Sequence, residues 1–76
     1  NMSLISFNIY ILTNIGNNIK KLRDVNKISR ETLAEMISIP KKRMTMIEEG
    51  NYINLTVIEC EKIAFSLKTN VNQLID

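Results

Sequence analysis

Ile15, Ile19, Leu22 and, at the flank, Val25 recur at three- and four-residue steps, with Asn, Lys, Arg and Asp between them. That is the rhythm of a helix with one buried face. The spacing predicts a first helix that stops near Asn26-Lys27, and Ser29 then offers a hydroxyl to cap a second helix whose inward face is Leu33, Ala34 and Ile37. Ser38-Ile39-Pro40 ends the second helix. Proline pushes the residue before it out of helical dihedrals, while its own fixed φ suits the start of a new helix. A third helix follows from about Lys41 to Glu49, buries Met44 and Ile47 with Glu48 close to the same side, and closes on Gly50.

Thr56-Val57-Ile58-Glu59 has the spacing of a capping box, in which hydroxyl and carboxylate each satisfy one orphan backbone N–H, so a fourth helix begins there. Its inward residues are Val57, Cys60, Ile63, Ala64 and Leu67. Asn70 and Gln73 repeat the device ahead of a short fifth helix that buries Val71, Leu74 and Ile75. Residues 3–12 break the series: Phe7, Ile9 and Ile11 alternate with Asn8, Tyr10 and Leu12, and β-branched and aromatic residues dominate, which predicts a strand. A helical extension over the core is the other reading of that segment. The expected architecture is all-α, five helices over residues 14–76, with a strand-like N-terminal extension over residues 1–13 that two copies could pair edge to edge, the last helix being the second candidate for a dimer contact.

A chain of 76 residues has room for one small core. With two Phe, two Tyr and no Trp, that core is aliphatic. Charge is unevenly spread. Residues 1–19 carry none, residues 20–43 hold eight cations against Asp24, Glu31 and Glu35 for a balance of +5, and residues 44–76 hold two against five acids for −3. A cationic third of the chain is a footprint for a polyanion. His is absent and Cys60 is the single cysteine, placed as a small core residue, so neither a metal cluster, a cofactor nor an acid/base apparatus is expected. The apolar run from Leu4 to Leu12 is too short and too interrupted to span a bilayer, and no basic segment precedes it. A cytoplasmic protein without membrane contact is expected.

Two short helices joined by a tight corner, the second opening with cations, is the layout of a DNA-reading helix-turn-helix. From Ile15-Gly16 to Ile75 the chain resembles the Xre family, the helix-turn-helix domain of phage repressors and Cro. The resemblance is carried by Ile19-Lys20-Lys21-Leu22-Arg23, Ser29-Arg30-Glu31-Thr32-Leu33-Ala34-Glu35, Ile47-Glu48-Glu49-Gly50, Ile63-Ala64 and Leu74-Ile75 in that order. It implies that Lys41, Lys42, Thr45 and Met46 face the major groove, Lys41 or Lys42 donating to guanine and Met46 packing on a thymine methyl. Spacing agrees, because these four share one side of a helix while 44 and 47 share the other. Arg43 is placed on a flank to grip a phosphate; Ser29 and Arg30, where the second helix begins, and Asn51 are further phosphate positions. Arg23 and Glu48 are implied to form a partly buried ion pair between the first and third helices. Lys20, Lys21 and Lys27 read as solvated helix faces. Lys27 and Ser38 stand where many relatives use glycine for left-handed dihedrals.

The expected function is sequence-specific transcriptional regulation by a homodimer on double-stranded DNA, the helix at about 41–49 reading the major groove. Phage repressor, restriction-modification controller and antitoxin all fit the resemblance. The rival from another class is a protein-binding adaptor of the same fold, encouraged by Met46 and the acidic Glu48-Glu49 end but having no need of Lys41-Lys42-Arg43 beside Arg30. At this length an attached sensor domain is not expected, and regulation is expected from concentration, promoter layout or a regulatory protein partner.

Overall fold

In the computed structural model, which describes residues 9–51 and 54–76, the chain winds into α1 (Ile9–Asn26), α2 (Arg30–Met36), α3 (Lys41–Glu48), α4 (Val57–Ser66) and α5 (Val71–Ile75). Each begins or ends where local chemistry dictates. The Ser29 hydroxyl accepts the Thr32 N–H at 3.0 Å and opens α2. At α4 the full capping box forms: Thr56 Oγ1 accepts the Glu59 N–H and Glu59 Oε1 accepts the Thr56 N–H, both at 3.1 Å. Asn70 Oδ1 caps α5 by accepting the Gln73 N–H at 3.0 Å. Pro40 sits at the α3 N-cap with no side-chain bond to the helix.

Four consecutive helices close in one way. Lys27 N–H bonds Asp24 O while Ile28 N–H reaches back to Arg23 O, and the same double bond recurs at Ser38/Ile39, Gly50/Asn51 and Lys68/Thr69. This closure requires its first residue to be left-handed. Gly50 takes φ 73° without cost, whereas Lys27, Ser38 and Lys68 take 57°, 61° and 62° with a Cβ in place.

One aliphatic core fills the centre. Leu12, Ile15 and Ile19 of α1 meet Leu33 and Ala34 of α2, Met44 and Ile47 of α3, and Leu55. Cys60, Ile63, Ala64 and Leu67 close it from α4, and Leu74 closes it from α5. Val57 is only half-buried. The backbones of α1 and α3 approach closely: a Cβ on Gly16 would run into the carbonyl of Glu48. Amide clamps tie α1 to other helix ends, Asn18 Nδ2 donating to Leu74 O at 2.8 Å and Asn26 Nδ2 to Leu67 O at 3.1 Å.

The strand expected over residues 3–12 is corrected where it can be seen. Residues 9–12 form the first turn of α1, and residues 3–8 lie outside the described residues. Leu12 enters the core and Ile11 packs against it, so the helical spacing that continues to Ile15 and Ile19 overrides the local preference of β-branched residues. α1 therefore begins at Ile9, five residues before position 14.

Candidate nucleic-acid interface

α2 and α3 meet across the corner Ile37–Pro40 and form a helix-turn-helix. The inward side of α3 is fixed by Met44, Ile47 and Glu48, all buried. Its outward side and N-terminal tip present Lys41 and Lys42, both exposed, then Thr45 and Met46, both half-buried. With no side-chain cap at Pro40, the first N–H groups of α3 add the positive end of the helix dipole to the two lysines. Lys41 Nζ contacts Glu31 Oε2 at 2.7 Å, but more than half of each side chain is exposed, so that pair is weak and easily exchanged. The nearby lysine holds the Glu31 carboxyl below its ordinary range. Lys42 forms no ion pair among the described residues.

Behind this surface lies a network that the sequence reading resolves only in part. Arg23 grips Glu48 with two bonds, Nε to Oε2 at 2.8 Å and Nη2 to Oε1 at 2.9 Å, and also donates Nη1 to Ile28 O at 3.2 Å. The Glu48 side chain is fully buried and that of Arg23 is 14% exposed, so α1 and α3 are joined by a charge pair in a dry setting. The hydrogen bond to Glu48 strengthens the hold of Arg23 on its proton. Arg30 joins the same carboxylate, Nη2 lying 3.1 Å from Oε1, and donates Nη1 to the Thr45 hydroxyl at 3.2 Å. Spacing alone places Arg30 beside the N-terminus of α2; the second use of Glu48 depends on how closely α2 and α3 cross.

Arg43, expected on the flank of α3 to grip a phosphate, makes a two-pronged pair with Glu59, Nε to Oε2 and Nη2 to Oε1 both at 2.8 Å, and donates to Asn54 O at 2.8 Å. Glu59 is held in place as the third residue of the α4 capping box, which makes it a fixed, half-buried target for a planar guanidinium. The arginine in turn holds the Glu59 carboxyl below its ordinary range. The signal was present in the capping box, but it does not show which cation would meet that acid. Ser29 and Asn51 are exposed at either end of the α2–α3 unit.

Neither family models nor curated proteins give a match to the chain. Solved structures do, and both gene regulators and an enzyme are among them. SinR, a master regulator for biofilm formation solved in complex with DNA, is 31% identical over 82% of this chain and 98% of its own, with a TM-score of 0.74. The restriction-modification controller protein C.AhdI from Aeromonas hydrophila is 25% identical over 83% of this chain and 94% of its own, with a TM-score of 0.75. Hydroxypropylphosphonic acid epoxidase from S. wedmorenis superposes with a TM-score of 0.83 at 22% identity, but the match takes in 36% of that enzyme, so the likeness shows a shared fold alone. Among the described residues no helix is long and apolar enough to cross a membrane.

Proposed function

We propose that this chain is a sequence-specific, DNA-binding transcriptional regulator of the Xre type that acts in the cytoplasm as a homodimer and reads the major groove with α3. The observation that carries the reading is the two-sidedness of α3: Met44, Ile47 and Glu48 anchor it while Lys41, Lys42, Thr45 and Met46 stay on the open side. Arg30 sharpens this. By donating to Thr45 Oγ1 it occupies one lone pair of the hydroxyl and leaves the O–H free to donate. Thr45 then favours an acceptor such as guanine O6 or thymine O4, and Met46 a thymine methyl. Ser29, Asn51 and the N-terminal turn of α2 take the flanking phosphates, with Arg30 contributing positive potential from behind. The solved complex of SinR with DNA supports the choice of partner, and C.AhdI makes a controller role one of the regulatory settings open to it.

The described residues extend 30 Å at most, shorter than the roughly 34 Å of one DNA turn, which supports two copies on an operator, one per half-site. Selection from random duplex DNA followed by salt titration tests the proposal. A sequence should be enriched, and affinity should fall steeply with salt. Replacing Lys41 or Lys42 by Ala should either flatten the salt slope by about one or relax one base preference at a cost of about 1–3 kcal/mol. Failure to enrich any duplex at low salt would refute it.

A further inference from the structure

α4 carries a second stripe on the side opposite its core face. Cys60, Ile63, Ala64 and Leu67 point inward, and about half a turn round the helix Ile58, Glu61, Lys62 and Phe65 are all exposed. Phe65 is 84% exposed, and Ile58 shares a groove with it and with the exposed Met36 at the end of α2. Single apolar side chains in water are ordinary; three that line one groove mark a contact surface.

The order of chemistry along this stripe identifies the occupant. Read in either direction, positions 58, 61, 62 and 65 run apolar, charged, oppositely charged, apolar. Two such helices crossing antiparallel about a two-fold axis between 61 and 62 bring Ile58 of each copy onto Phe65 of the other, and Glu61 of each onto Lys62 of the other. A two-fold contact demands this kind of self-complementarity, in which one patch serves both sides. Parallel pairing in the same register would instead stack like charges.

We infer that the exposed face of α4 is the seam along which two copies of this chain pair. The inference rests on the dimeric reading above and gives it a surface. Glu59, which faces α3 through Arg43, lies about a third of a turn from the stripe, so pairing leaves Lys41, Lys42 and Thr45 uncovered. The contact rests on five side chains per copy, so the pair is concentration-dependent and is strengthened when DNA holds both copies.

Sedimentation equilibrium on the whole chain over a concentration series tests this. The parent chain should show a monomer–dimer equilibrium, and Phe65→Ala should raise its dissociation constant about tenfold or more. Glu61→Lys alone and Lys62→Glu alone should each weaken pairing about tenfold, because each sets like charges face to face twice. Mixing the two variants should restore association, since the hetero-pair regains both attractions. All three side chains are exposed, so helical circular dichroism should be unchanged. A parent chain that stays monomeric, or variants that associate as the parent does, would overturn the seam. Binding to the selected duplex is measured in parallel: DNA bound with pairing unaltered by the variants removes the seam and keeps the DNA reading, and pairing altered as described with no DNA bound does the reverse.

Discussion

Glu48 shows how one residue serves both stability and function. Its carboxylate is fully buried and takes Arg23 from α1 and Arg30 from α2, and Arg30 then holds the hydroxyl of Thr45. A buried charge that loses its partner is costly. Glu48→Ala should therefore lower the unfolding free energy by about 3–5 kcal/mol, with Arg23→Ala close behind because Arg30 compensates only partly. Thermal melts would measure both, and unchanged midpoints would contradict the pairing. The Arg23 and Glu48 positions were legible from the family pattern, whereas the role of Arg30 was not, since it depends on the crossing of two helices. Cys60 was also readable as core; burial pushes its thiol up to about 11, which makes it an unreactive packing group.

At the scale of elements, caps were the clearest part of the sequence. Thr56 and Glu59 announced α4, Ser29 announced α2, and Pro40 fixed the corner. The start of α1 was not legible, because Ile9, Tyr10 and Ile11 have the side chains of a strand and only the core contacts of Ile11 and Leu12 settle the matter. The left-handed closures at Lys27 and Ser38 carry strain that glycine would relieve. Ser38→Gly and Lys27→Gly should each raise stability by about 0.5 kcal/mol, the relieved strain outweighing the added freedom of the unfolded chain; chemical denaturation would measure the gain. The join between α3 and α4 has a pH signature. Glu59 is lowered in the folded state mainly by its bond to Arg43, so its contribution is present above the usual carboxylate range and is lost as pH falls through the folded value. The parent chain should lose stability on acidification, and Arg43→Ala should make the loss shallower below about pH 4.

At the scale of the whole molecule, the cationic third of the sequence proves less available than its count implies. Arg23, Arg30 and Arg43 are paired with Glu48 and Glu59, and Lys41 and Lys42 are left at the tip of α3. Charge composition signalled a polyanion surface but could not say which cations were spent inside, because that depends on acids distant in sequence. What stays outward is a short helix whose position is set by the core and whose tip is positive. The central claim is that this face enters the major groove. Nuclear Overhauser contacts between the chain and its selected duplex measure it most directly. Methyl groups of Thr45 and Met46 should show cross-peaks to base protons or thymine methyls of the major groove; cross-peaks that arise only from other faces, with Thr45 and Met46 silent, would contradict the account.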